Sequence, residues 1–410
     1  MILDIMKKKK VDEMNSKKCC GCTACVNICS KSAISMIHDN KGFEIPHINL
    51  ENCIDCGICA KVCPSLDGNL LLNETQNTYA AYSPIDQDRE RSSSGAFFPV
   101  LARKILNLGG YICGCILDSN DMTVKHIVTN DIKLVKRMSD SKYVQSSMQG
   151  CFQEIKTHLN NNLYVLFTGT SCQVNGLNEF LKKTNCNIDK LITVDLICHG
   201  VPSPLIYKEY LKFYEKEKGS KVTDMTFRTK KYGWATGDLV HIPNIRCGNR
   251  DDSNSFISRI WQNCFFSDMC LREYCYSCPY TSTNKPSDIT IGDFWGIETI
   301  LPSFNDQKGC SLILIHTVKG KEWFKNMDLI SHEVQIEKAI KYQNNLNTPS
   351  KKSKVYDNFW NDYHQKGFKY VASKYLNYSK WNSFRYFLKL FFKSIKMNKL
   401  SDKVSKNLLH

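Results

Sequence analysis

Two stretches decide how this chain is read: Cys19-Cys20-Gly21-Cys22-Thr23-Ala24-Cys25-Val26-Asn27-Ile28-Cys29 and Cys53-Ile54-Asp55-Cys56-Gly57-Ile58-Cys59-Ala60-Lys61-Val62-Cys63-Pro64. Both carry the spacing C-x2-C-x2-C-x3-C. Three thiolates at that spacing wrap one corner of an iron–sulfur cube, and the fourth turns away to ligate a second cube. Zinc also accepts C-x2-C pairs. Two complete quartets with one spacing favour iron–sulfur clusters.

This is the pattern of two-cluster ferredoxins. It assigns one 4Fe–4S cluster to Cys19, Cys22, Cys25 and Cys63, and the other to Cys53, Cys56, Cys59 and Cys29. Ser30 stands where proline often follows the fourth cysteine. Proline there shapes backbone and is no ligand, so the quartet is unaffected. Ala33 to Ile37 and Phe43 to Ile48 read as strands around the turn Asp39-Asn40-Lys41-Gly42, a hairpin between the two runs.

Working outward, the chain has 410 residues, enough for two or three domains, and 21 cysteines. Met1 to Met6 is a short apolar stub ahead of Lys7 to Lys10, the wrong order for a signal peptide. No apolar run is long enough to span a bilayer. Metal-bound cysteines in a reducing cytoplasm fit this composition. The net charge is +15, but residues 351–410 hold 14 Lys/Arg against 3 Asp/Glu. The body is therefore near neutral, and no nucleic-acid partner is expected.

The expected layout is a charged lead-in (1–16), a ferredoxin module (17–68), a larger domain (78–350) and a basic, aromatic-rich tail (351–410). In the large domain Ala96 to Leu108, Met148 to Leu159, Val174 to Leu181, Pro204 to Tyr214 and Gly320 to Met327 read as helices. Tyr111 to Leu117, Met122 to Val128, Leu163 to Phe167, Leu191 to Ile197, Ser287 to Ile291 and Leu312 to Thr317 read as strands. Strand–helix–strand succession predicts an α/β sheet behind an α+β ferredoxin module. Cys172 and Cys198 fall just past strand ends, where ligands of such sheets bind. Cys275 and Cys278 form a further C-x2-C pair.

Six segments carry a family resemblance. They are Ser92-Ser93-Ser94-Gly95, Ser141-Lys142-Tyr143-Val144-Gln145-Ser146, Thr168-Gly169-Thr170-Ser171-Cys172-Gln173, Cys198-His199-Gly200, Cys275-Tyr276-Ser277-Cys278-Pro279 and Asp288-Ile289-Thr290-Ile291-Gly292-Asp293-Phe294-Trp295-Gly296. In this order they resemble the beta-subunit family of coenzyme F-420 hydrogenases and dehydrogenases. The chain departs from the family pattern at Ala96, where a second glycine is usual, and at Ser171, where proline is usual.

The resemblance implies a third 4Fe–4S cluster on Cys172, Cys198, Cys275 and Cys278. A structural zinc or free thiols is the alternative, and Cys270 is a nearby competitor for a ligand position. It implies bound FAD, contacted by Ser92, Ser93, Ser94, Gly95, Ser141, Lys142 and Tyr143. A serine-rich segment opening a helix also suits a pyrophosphate in its own right, though such segments are usually just caps. Asp293, in a glycine-flanked turn, can face the same site. His199, beside a ligand, is the candidate proton relay. Cys20, Cys113, Cys115, Cys151, Cys186, Cys247, Cys264 and Cys310 read as small buried hydrophobes.

The expected function is an oxidoreductase taking electrons from a ferredoxin-like donor protein through the clusters to FAD. A small-molecule or deazaflavin acceptor then takes two electrons. The alternatives are an electron-transfer subunit without its own substrate, and a scaffold keeping degenerate clusters; the intact quartets argue against the latter. In the tail, Arg385, Lys389, Lys393 and Lys396 recur at helical spacing beside Phe384, Tyr386, Phe387, Leu388, Leu390, Phe391, Phe392 and Ile395. This pattern suits either peripheral contact with an anionic membrane or docking on protein.

Overall fold

In the N-terminal module β1 (Ile34–His38) pairs antiparallel with β2 (Glu44–Ile48). The Asp39 carboxylate ties the turn by accepting from the N–H groups of Lys41 and Phe43, each at 2.9 Å. Short helices, Ala24–Ile28 and Ile58–Lys61, follow the second cysteine of each run. Each is entered through a left-handed residue at the same place in its run, Thr23 (φ 63°) and Gly57 (φ 68°). The doubled cysteine pattern is thus a doubled backbone turn. The computed structural model describes residues 11, 14–15, 17–66, 70–230, 233–234, 242–253 and 255–394. The end of the expected module at 67–68 lies outside them.

The second layer is a mixed sheet. Its strands come from a long span of chain: β3 (Asn77–Tyr82), β4 (Tyr111–Asp118), β5 (Thr123–Thr129), β6 (Val165–Thr170) and β7 (Leu191–Leu196). A separate three-stranded sheet follows, β8 (Asp224–Thr229), β9 (Ile242–Cys247) and β10 (Arg250–Asp252). The large sheet resumes with β11 (Ile289–Asp293), β12 (Ser311–Ile315) and β13 (Ile330–Glu333). The order is β13-β3-β12-β11-β7-β6-β4-β5. Strands β4, β6, β7 and β11 run parallel, so their carboxyl ends share one edge. The central strands are continuous apolar runs because both faces are covered. All five residues of β12 are buried, as are Val165, Leu166 and Phe167 of β6.

The helix Phe97–Asn107 packs within one apolar cluster on the sheet, and Cys151–Asn160 and Ser171–Lys183 within another. Strand β6, the helix Ser171–Lys183 and β7 form the expected βαβ unit. Several bounds move. Thr168-Gly169-Thr170 is strand rather than loop, and the following helix begins at Ser171, three residues early. Gln173 explains this: its side chain accepts from the Thr170 N–H at 2.9 Å, half of a capping box. Cys172 therefore sits in the first helical turn.

The serine segment does not open a helix. Ser92 ends the helix Asp86–Arg91, and the next helix starts at Phe97. Between them Ala96 takes φ 69°, the left-handed region that glycine occupies without strain. The missing glycine noted in the sequence is therefore a strained alanine here.

The composition break near Lys351 is no structural break. Tyr356–Tyr375 is a helix, kinked at Gly367, whose Tyr356, Phe359, Trp360, Phe368, Val371 and Ala372 are buried in the aromatic cluster around Pro204–Lys218. Fully burying each such large side chain contributes about 1.5–3 kcal/mol. A last helix, Lys380–Ser394, touches the body through buried Tyr386, whose hydroxyl accepts from Arg259 at 3.3 Å. Trp381, Phe384 and Phe387 are 64%, 50% and 61% exposed. The tail residues Ile395 and Lys396 lie outside the described residues. Among the described residues no helix is long and apolar enough to cross a membrane.

Candidate iron–sulfur and redox site

The structure gathers each expected cysteine group. Cys29, Cys53, Cys56 and Cys59 line one cavity of about 420 Å³, walled by Ile34, Ile48, Ile54 and Ile58. Cys19, Cys22, Cys25 and Cys63 are all buried, and Cys19, Cys25 and Cys63 share an apolar cluster with Cys59. Burial pushes the Cys63 thiol up to about 12. Binding iron must displace such protons, so cluster loading is proton-linked.

Cys172, Cys198, Cys275 and Cys278 line a second cavity, of about 530 Å³, with His199, Tyr274, Tyr280 and Lys285. Cys172 comes from the helix after β6, and Cys198 from two residues past β7. The C-x2-C pair arrives on a short turn, Glu273–Ser277. Burial pushes Cys198 up to about 11. Among the described residues no three His, Cys, Asp or Glu side chains converge on the spacing of a single ion. Four thiols around a cavity of this size suit a multi-atom cluster.

Two expectations about the other cysteines are corrected. Cys20 is no inert hydrophobe: it lines the second cavity together with Cys172, and the neighbouring thiols of Cys172 and Cys22 pull its pKa well down. Adjacent side chains on an extended chain point opposite ways. Cys19 thus joins its own quartet while Cys20 points into the larger domain. Cys270, the competitor, is buried elsewhere, its thiol directed at the Cys264 carbonyl at 3.6 Å.

The ferredoxin module is clamped onto this site by groups that have no cysteine signature. Arg272 is completely buried. Its guanidinium donates to the carbonyls of Cys19 and Glu44, both at 2.6 Å, and to Gln145 Oε1 at 3.0 Å. Lys41 reaches Glu273 at 2.6 Å. Gly176, on the helix that carries Cys172, lies so close to the module that a Cβ would stand 2.8 Å from Cys22 Sγ. Helix and cysteine run are in van der Waals contact.

His199 is held from both sides. Its Nε2 meets Asp268 Oδ1 at 2.7 Å, and Phe265 and Phe266 stand edge-on to its ring at 5.0 and 5.6 Å. Asp268 was not singled out in the sequence. It takes φ 58°, a conformation that aspartate tolerates better than most residues. Its backbone carbonyl accepts from the Tyr276 hydroxyl. The pair can hold a proton at the rim of the cysteine cavity.

The residues assigned to FAD also meet. Ser93 Oγ accepts from the Ser141 N–H at 2.8 Å, and Ser94 Oγ donates to the Cys310 carbonyl at 2.8 Å. The Gly95 N–H donates to Ser311 Oγ at 2.9 Å. Asp293, at the carboxyl end of β11, pairs with Arg228 at 2.5 Å and accepts from Trp234 Nε1 at 3.2 Å. Tyr143 stacks on Phe265 at 4.8 Å, linking this group to His199. Lys142 is deeply buried and spends its ammonium on Asp140 and the Arg137 carbonyl. Beside the serines, Arg89 pairs with Asp306 through both terminal nitrogens at 2.6 Å, while among the described residues its buried Nε and Ser92 Oγ have no hydrogen-bond partner. Lys230 Nζ is directed at the Ser94 carbonyl at 2.5 Å, and burial lowers its pKa to about 7.

Comparison with known proteins agrees with this layout. Residues 163–340 match the family described as the C terminus of the coenzyme F420 hydrogenase/dehydrogenase beta subunit. Residues 18–66 match the 4Fe-4S dicluster domain. No curated protein matches the chain. Among solved structures, a chain of the F420-reducing [NiFe] hydrogenase complex from Methanosarcina barkeri is similar at 15% identity, over 68% of this chain and 90% of that one, with a TM-score of 0.44. The chain thus joins a stretch that matches the 4Fe-4S dicluster domain to one that matches the C terminus of coenzyme F420 hydrogenase/dehydrogenase beta subunits.

Proposed function

We propose that this chain is an iron–sulfur flavoprotein oxidoreductase, connecting a ferredoxin-like donor protein to a two-electron acceptor. The observation that carries it is the placement of Cys20. A residue of the dicluster module lines the inner cysteine cavity, so the two cysteine regions form one continuous site. Cys19, Cys22, Cys25 and Cys63 would hold one cluster, Cys29, Cys53, Cys56 and Cys59 a second, and Cys172, Cys198, Cys275 and Cys278 a third. When bound, the clusters supply one-electron transfer and FAD the change between one- and two-electron chemistry.

The chain's own residues do the positioning. Arg272 and Gly176 hold the module against the helix of Cys172. Ser92, Ser93, Ser94, Gly95, Ser141, Tyr143 and Asp293 would hold the flavin. Arg89 Nε and Ser92 Oγ, without partners among the described residues, support a hydrogen-bonding ligand group there beside the Arg89–Asp306 pair, and Lys142 frames the 137–142 turn. His199, oriented by Asp268, would hold the proton that a reduced organic substrate requires. The family name points to a deazaflavin acceptor, which we keep as one substrate class among small organic acceptors.

Flavin retention tests the reading. Protein reconstituted anaerobically with iron, sulfide and FAD should keep about one flavin per chain through gel filtration, by the single site proposed. Asp293→Ala, which unpairs Arg228, should release it. A wild-type chain that keeps iron but no flavin would remove FAD and leave an electron-transfer subunit.

For the last helix we propose peripheral contact with an anionic membrane surface. The support is exposed Trp381, Phe384 and Phe387 on a helix whose sequence also carries Arg385, Lys389 and Lys393. Co-sedimentation with anionic liposomes should fall when residues 380–410 are removed, and equal sedimentation would refute the contact.

A further inference from the structure

Among the described residues, Lys285 is the one Lys, Arg, Asp or Glu side chain lining the inner cysteine cavity. It is 2% exposed. Its ammonium donates to the Tyr280 carbonyl at 2.6 Å, and its backbone is pinned by paired bonds with Asn73 at 2.8 and 3.0 Å. A lysine placed there must find compensation for its desolvated charge. Its hydrogen-bond acceptor is a neutral carbonyl, and it lines the same cavity as Cys198 and Cys278.

Two further titratable groups face it. Asp195, on β7, is completely buried and accepts from the hydroxyls of Ser287, at 2.9 Å, and Thr290. Burial raises its pKa, and Lys285 and the surrounding hydroxyls oppose that rise. His316, bonded to Thr290 at 2.8 Å, is kept neutral by burial. Among the described residues, Lys285 is thus the one fixed charge in the cavity wall, with Asp195 behind it, Asp268 behind the lining His199, and Arg272 beyond Cys275.

We propose that Lys285 sets the reduction potential of the inner site, with Asp195 as its opposing charge. The inference rests on the cavity holding a 4Fe–4S cluster. A cluster held by four thiolates is anionic, and one added electron deepens that charge. A fixed ammonium beside it favours the reduced state, and a carboxylate behind that ammonium disfavours it. Net charge, burial and hydrogen bonds to sulfur are the levers by which a protein sets such potentials. A purely structural lysine, holding only the Tyr280 carbonyl, would leave the potential unmoved when its charge alone is removed.

The test is a redox titration of the reconstituted full chain, followed by electron paramagnetic resonance. Lys285→Gln keeps a donor for Tyr280 but removes the charge. It should lower the inner midpoint by at least a tenfold change in the reduction constant, which is about 59 mV for one electron. Lys285→Arg should stay near wild type. Asp195→Asn should move the midpoint the opposite way. Iron content separates the two possible failures. Wild-type protein holding only about eight irons, two cubes, would remove the cluster and the proposal together. About twelve irons with an unmoved midpoint in Lys285→Gln and Asp195→Asn would overturn the proposal alone.

Discussion

Replacing Arg272 by methionine should detach the ferredoxin module from the body while leaving both folded. The side chain is fully buried, and its three acceptors, two at 2.6 Å and one at 3.0 Å, are all neutral oxygens on the two sides of the junction. Hydrogen bonds from a charged donor contribute about 1.5–3 kcal/mol each. The cost of desolvating the guanidinium offsets part of that sum. Methionine restores packing but leaves the Cys19 and Glu44 carbonyls and Gln145 without their donor. Each buried acceptor left unsatisfied costs about 1–3 kcal/mol, so a net loss of about 3–5 kcal/mol is the expected scale for three of them after that offset. At about 1.4 kcal/mol per tenfold, amide exchange in residues 17–66 should quicken by roughly two to three and a half powers of ten. Lysine should not rescue it, because a single ammonium cannot reproduce the planar fork. Anaerobic hydrogen exchange reads the effect segment by segment. Unchanged protection of residues 17–66 in the methionine variant would refute the clamp.

Gly176→Ala should also act at a distance from its own helix. In isolation the change favours the helix by about 1 kcal/mol, but here the new Cβ meets Cys22 Sγ at 2.8 Å. Iron content and thermal stability should both fall; a more stable variant with full iron would refute the close contact. The pH response should show His316. Burial holds its folded pKa at about 3, below the unfolded value of about 6.5. Below pH 6.5 the unfolded chain takes a proton that the folded chain refuses, so stability falls as pH drops from about 6.5 toward about 3. This group adds at most about 1.4 kcal/mol per pH unit, and urea unfolding of His316→Gln at pH 7 and pH 5 should show that slope removed.

The ferredoxin module was legible because ligand spacing is local. A cube needs thiols at fixed separations along one turn, and nothing distant alters that. The βαβ unit was legible for a similar reason: apolar runs and caps are short-range signals. What escaped was long-range. Arg272 and Lys285 look like ordinary cations in sequence, and only the fold buries them. Cys20 was passed over because it adds nothing to the spacing of its run. Its neighbour Cys19 was already a ligand, and that pairing was the available clue. The serine segment was misplaced because Ala96, at φ 69°, breaks the chain just before the helix. The aromatic run from Tyr356 looked like a tail because composition records charge but not which face is covered.

The most direct measurement is iron and acid-labile sulfide per chain in the reconstituted protein, compared with a Cys275→Ala/Cys278→Ala variant. The wild type should hold about twelve irons and the variant about eight, with the signals of the two ferredoxin clusters intact. A wild-type plateau at about eight irons, or a variant that keeps about twelve, would contradict the assignment of the inner cavity.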